Sequence, residues 1–134
     1  MKITSLSAAL MLTCILAQSQ NLVGYKQKDI LKYMKENRRE MNYNNVVNSK
    51  FSYLKYSDNY ENQTMLFFLN PDSICKSERI IFDISMKSQK MNEYNSQFIK
   101  NGENKWIEKR NGKEYIIEIV EGKWSCVISI EPEK

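Results

Sequence analysis

The chain has 134 residues, a formal net charge of +4 and no histidine. Without histidine, Ser-His-Asp and Cys-His catalysis, imidazole general bases and most zinc sites are excluded. So mild a basic excess gives no reason to expect nucleic acid as a partner.

The N-terminus reads as a targeting segment. Met1-Lys2 carries one positive charge, and Ile3 to Ala17 is apolar or small. This is the pattern of a secretory signal peptide, and its apolar run is short for a membrane span. Small residues at Ala17 and Ser19 predict cleavage after Ser19, with cleavage after Ala17 as the alternative. Cys14 fits a lipoprotein signal badly, because Leu12 lies two residues before it and Thr13 one before. The expected division is therefore 1–19 as signal peptide and 20–134 as a single α+β domain, periplasmic or secreted. No later stretch is apolar enough to span a bilayer. Two cysteines remain after processing, Cys75 and Cys126. In an exported chain an isolated pair predicts a disulfide. Such a bridge would contribute roughly 4 kcal/mol on the chain-entropy estimate.

The domain opens with Gly24-Tyr25 and a helix in which Ile30, Leu31, Met34 and Met41 lie near one stripe. Asp29 near its start and Arg38-Arg39 near its end suit the helix dipole. Asn42 to Asn48 reads as a polar break. Strands are expected at Phe51–Tyr56, Thr64–Leu69 and Ile74–Phe82, with a β-turn at Asn70-Pro71-Asp72-Ser73. Asp83 or Ser85 caps a second helix carrying Ile84, Met91, Tyr94 and Phe98, and Asn101-Gly102 stops it.

The stretch from Trp106 to Ile130 predicts a three-strand meander. Asn111-Gly112 is a strong type I′ hairpin signal, since both central residues need positive φ. It places Arg110 opposite Lys113, Glu108 opposite Tyr115 and Trp106 opposite Ile117. Glu121-Gly122, read as a second two-residue turn, places Ile119 opposite Trp124 and Ile117 opposite Cys126. One face then collects Trp106, Tyr115, Ile117, Ile119, Trp124, Cys126 and Ile128. The fold expected from these elements is α+β, in the order α-βββ-α-βββ. One largely antiparallel sheet of five to six strands would carry two helices on its Trp106/Ile117/Trp124 face. The helix between the third and fourth strands also permits a parallel pair there. The halves near 24–83 and 84–131 share an element order without evident sequence identity.

Chemistry is sparse. No phosphate-binding, dinucleotide-binding or nucleophile-elbow motif is present. No catalytic residue, cofactor or metal is predicted. Glu108, turned toward the core face, could be an acid with raised pKa, and a strand-end Glu bonded to Tyr or solvent is the plainer expectation. Candidate binding residues fall in two groups. Ile107, Ile116 and Val127 form an apolar column on the face away from the helices, or simply pack across strands. Tyr53, Tyr56 and Tyr60, with Tyr43, could form a ligand-facing rim or serve the core. The partner expected is an unknown protein or envelope component. The sequence thus predicts a non-enzymatic binding module, with a histidine-free hydrolase using paired carboxylates as the alternative.

Several short motifs carry a resemblance. They are YLKY (53–56), FFLN (67–70) with Cys75, MNEYN (91–95), Trp106, and a terminal meander ending WSCVI. In this layout the chain resembles small exported proteins of Gram-negative bacteria, a group with no assigned activity. The resemblance implies export and a small α+β domain, and it transfers no catalytic residue. A looser likeness is to helix-plus-sheet inhibitor and envelope-assembly domains, which bind protein partners through an open sheet face.

Overall fold

The computed structural model describes residues 20–44 and 52–134. The expected signal segment with Cys14, and residues 45–51 of the polar break and first strand, lie outside the described residues. In chain order the elements are α1 (Gln27–Asn37), β1 (Met41–Asn44), β2 (Tyr53–Asp58), β3 (Gln63–Leu69) and β4 (Cys75–Asp83). After a 3-10 turn (Ile84–Met86) come α2 (Lys87–Gln97), β5 (Ile99–Lys100), β6 (Lys105–Arg110), β7 (Lys113–Glu121) and β8 (Ser125–Pro132). All eight strands form one sheet in the order β1-β2-β3-β4-β8-β7-β6-β5, antiparallel throughout.

This corrects the expected five to six strands. The two additional strands, β1 and β5, are the sheet edges, with sequences MNYN and IK. Neither is long or apolar enough to announce itself. Each is extended because a longer neighbour offers it a ladder, β2 for β1 and β6 for β5. The parallel pair is not formed either. β4 pairs antiparallel with β8, and the chain after α2 begins at the far edge. The element order is therefore α-ββββ twice, and the two units meet at β4–β8.

The Asn111-Gly112 hairpin has the expected register, with Trp106 opposite Ile117 and Glu108 opposite Tyr115. Asn111 and Gly112 both have positive φ, 52° and 75°, as a type I′ turn requires. The second hairpin differs. Ile119 lies opposite Ile128 and Ile117 opposite Ile130, four residues further along than Glu121-Gly122 predicts. Glu121 pairs with Cys126, and Gly122 N–H donates to Ser125 O at 2.8 Å, closing a wider loop. Glu resists positive φ, so the tight turn is not taken. The slip is even, so every strand residue keeps its expected face. Lys123 and Trp124 leave the sheet, and Trp124 is 72% exposed.

The helices share the Trp106/Ile117 face, as expected. Ile30 and Met34 of α1 and Tyr94 of α2 join the core, and the Tyr94 ring meets Trp106 edge-on at 5.5 Å. Met41 is buried too, but on β1 rather than in the helix. Asp83 caps the 3-10 turn, accepting from Ser85 N–H at 2.9 Å. Residues Asn21 to Tyr25 form a strap into the core, with Asn21, Leu22 and Val23 at most 2% exposed. The strap is pinned to the start of β4. Gly24 N–H donates to Cys75 O, and Cys75 N–H to Tyr25 O, both at 2.8 Å. Gly24 has φ +91°, a conformation any larger residue would adopt only with strain.

The expected disulfide is not formed: Cys75 and Cys126 are free and buried. The register explains this. Cys126 pairs with Phe82, seven residues along β4 from Cys75. That is about 23 Å at the rise of a strand, against a bridging limit of about 7 Å. Both cysteines act as small core hydrophobes, and the roughly 4 kcal/mol of loop-closure stabilisation does not apply.

Candidate functional site

Three features could carry function. The first is the outer sheet face. Residues alternate along each strand, so the helix-covered face takes Met65, Phe67, Ile80, Phe82, Ile117 and Ile128. The outward residues of β3, β4, β6, β7 and β8 all keep some solvent exposure. Many are nonetheless apolar. Ile81 pairs with Val127, and Val127 with Val120. Ile116 pairs with Ile107, and Ile107 with Ile99. Val120 and Ile99 are 56% and 57% exposed. Ile107, Ile116 and Val127 share one face, but the expected column is broken. Ile107 pairs with Ile116, while the four-residue slip sets Val127 beside Val120 and Ile81, two rows away in a wider, divided apolar patch. That patch includes Ile81, Val120 and Ile99, which the sequence reading did not single out. Period-two alternation in Ile80-Ile81-Phe82 and Ile119-Val120 would have shown it once the inward partner was fixed.

The second feature is a polar cluster under the strap. Glu78 of β4 is completely buried. One carboxyl oxygen accepts Leu22 N–H at 3.2 Å, and the other has no hydrogen-bond partner among the described residues. Burial raises its pKa from 4.5 to about 8, against the lowering effect of the Leu22 N–H and the Arg38 charge. Asn21 joins this side to β6, donating from Nδ2 to Glu108 at 3.1 Å. Its Oδ1 accepts Val23 N–H at 2.9 Å. Arg110 donates to the carbonyls of Asn21 and Val23 and lies over the Tyr25 and Tyr115 rings. Glu108 is half-buried and accepts from the Asn21 amide, so no tyrosine partner is needed. The space beside Glu78 is about 10 Å³, lined in part by Asn21, Arg38, Tyr94 and Ile130. That is room for about one water, not for a substrate. The sequence concealed Glu78, which sits among Lys76, Ser77 and Arg79 in a stretch that reads as solvated.

The third feature is a cleft of about 560 Å³ between α1 and the β1–β2 edge. Leu31, Met34, Met41, Tyr43 and Tyr56 give it an apolar lining, and Lys35 and Arg39 stand at its rim. The Tyr43 and Tyr56 rings are 5.3 Å apart. Burial, with Tyr43 adding to it, pushes the Tyr56 hydroxyl up to about 12, so it stays a protonated donor. Only Tyr43 and Tyr56 of the expected tyrosine rim come together. Tyr53 lies on the outer face against Phe68, ring centres 5.9 Å apart, and Tyr60 is 84% exposed in the β2–β3 turn.

Among the described residues, no group of three or more His, Cys, Asp or Glu could hold a metal ion. No helix among them is long and apolar enough to cross a membrane. Comparison with protein-family models, with curated proteins and with solved structures finds no match.

Proposed function

We propose that the chain is a non-enzymatic binding module of the cell envelope or exterior, docking a protein partner through its outer sheet face. One observation carries this reading. The Ile81–Val127–Val120 and Ile116–Ile107–Ile99 rows leave aliphatic side chains on a face that no described helix covers. Exposed aliphatic rows on one uncovered face suit a contact site. The row Arg79–Ser129–Glu118–Lys105 runs between them and offers charged and polar groups to the same partner. The alternative of a hydrolase with paired carboxylates finds less support. Glu108 is joined through Asn21 to the strap that seals Glu78, and the space beside Glu78 among the described residues is about 10 Å³.

Ile107→Lys combined with Val127→Lys tests the face, because both side chains are half-buried and outward. The double variant is expected to keep the native melting curve and to lose any partner that wild type retains from an envelope extract. Capture of the same partner by both proteins overturns the assignment of this face.

A further inference from the structure

The cleft beside α1 has a chemistry of its own, separate from the outer face. Leu31 and Lys35 are one helical turn apart on α1, so they share a side of the helix, with Met34 next to them. Opposite them Met41 and Tyr43 alternate inward on β1, and Tyr56 pairs with Tyr43 from β2. The floor is well formed: Met34, Met41 and Tyr56 are 1%, 6% and 4% exposed. Its upper wall is open, since Tyr43 is 48% exposed. A volume near 560 Å³ is within the range of small-molecule sites and is mostly apolar, as such sites are.

The charged groups around this floor all have one sign, and the other polar side chain of the lining besides the tyrosines, Asn42, is neutral and donates to Asn59. Lys35 and Arg39 are exposed at the rim, and neither has a carboxylate partner among the described residues. The cation beside them, Arg38, is engaged by Glu40. The Tyr56 hydroxyl has no hydrogen-bond partner among the described residues. No carboxylate lines the cleft. An apolar trough with two uncompensated cations at its mouth favours a ligand with a hydrocarbon body and an anionic head. A neutral ligand would leave the cations unused, and a cationic one would be repelled by them.

We propose that the cleft formed by Leu31, Met34, Met41, Tyr43 and Tyr56 binds an anionic amphiphile, its hydrocarbon on the Met/Tyr floor and its carboxylate at Lys35 and Arg39. The methionines give a local probe. In protein labelled with carbon-13 at the methionine methyls, decanoate below its micelle concentration is expected to shift Met34 and Met41 saturably. Met65, Met86 and Met91 lie outside the cleft and should stay in place. Decyltrimethylammonium, with the same chain length and the opposite charge, should bind at least about tenfold more weakly. Lys35→Ala with Arg39→Ala alters only exposed side chains and should weaken decanoate about fivefold or more. Ile107→Lys with Val127→Lys should leave decanoate binding unchanged, so this site and the outer face succeed or fail separately. Unmoved Met34 and Met41 signals overturn the proposal. So does equal binding of the two amphiphiles, or undiminished binding by the Lys35/Arg39 variant.

Discussion

The two α-ββββ units are built alike and filled differently. One row of inward residues crosses the six inner strands: Leu54, Phe67, Glu78, Ile130, Ile117, Trp106. Reading outward from the centre, Phe67 corresponds to Ile117 and Leu54 to Trp106, apolar matched with apolar. At the seam the correspondence breaks, with a carboxyl on β4 facing isoleucine on β8. The strap is the reason. This segment, Asn21 to Tyr25, lies along the start of β4, and although Asn21 and Val23 are also held from β6, Leu22 N–H needs an acceptor there. Glu78 supplies it. The second unit instead fills the space over Trp106 with Tyr94 and Phe98. Equal backbones thus tolerate unequal interiors, provided each buried polar group answers a particular partner.

Removing the asymmetry should have the largest effect, and it should depend on pH. The pKa of Glu78 is raised on folding, from 4.5 to about 8. Below about 4.5 the carboxyl is protonated in both folded and unfolded chains, and its burial carries no ionisation penalty. Between 4.5 and 8 the unfolded chain loses the proton while the folded chain keeps it, so stability falls as pH rises. Above about 8 the full penalty is present, at most roughly 5 kcal/mol for a rise of this size. Glu78→Gln keeps an acceptor for Leu22 N–H and does not titrate. Its melting temperature should exceed that of wild type increasingly from pH 5 to pH 8. Parallel pH profiles for the two proteins would show that Glu78 is not a neutral buried acid.

The strap was legible in the sequence only as a lead-in to the helix, and the reason is physical. Its side-chain partners are 56 to 89 residues away: Glu78 for Leu22, Glu108 for Asn21, Arg110 for the Asn21 and Val23 carbonyls. No local periodicity records such contacts. Local chemistry was readable where it was decisive. The Asn111-Gly112 turn set the register of β6 on β7, and alternation set the faces of all three meander strands. The edge strands, the Glu121 loop and the cysteine pair depended on which strands become neighbours. Cys126 lies on the inward face as expected and Cys75 is buried too, yet Cys75 opens β4 while Cys126 sits on β8 opposite the other end of β4. Of the site residues, face parity alone gives the side of the sheet for Ile107, Ile116 and Val127, but not their alignment, which the width of the second turn decides. Tyr53 and Tyr56 were grouped by composition, and they separate because three residues along a strand lead to opposite faces.

The strap itself gives the next effect in size. Arg110 reaches from β6 to hold two strap carbonyls and packs over Tyr25 and Tyr115. Arg110→Met keeps length and apolar bulk but leaves both carbonyls without this donor. A loss of about 2–4 kcal/mol is expected, from two charge-assisted bonds and their exposed remainders. The first unit should respond locally. Amide hydrogen exchange at Val23 to Tyr25 should accelerate, while Ile117 and Ile128 in the second unit change only with global stability. Uniform acceleration across both units would mean that the strap is not a separable element.

The smallest effect belongs to Trp124, and it separates two accounts of the β7–β8 hairpin. Under the two-residue turn, Trp124 faces Ile119 in the core, and truncating a buried Trp costs about 3–5 kcal/mol. Under the observed register, Ile119 faces Ile128, and Trp124 stands in the loop with only the Lys123 ammonium near its ring, 5.2 Å from the centre. An exposed cation–π contact contributes about 0.5–1 kcal/mol. Trp124→Ser should therefore lower stability by no more than about 1 kcal/mol. Fluorescence provides a second reading, because the chain has two tryptophans and Trp106 is fully buried. Without Trp124, the emission should move to shorter wavelength and iodide should cease to quench it. A loss of several kcal/mol, or quenching that survives the substitution, would place Trp124 back on the sheet and move every β8 partner by four residues.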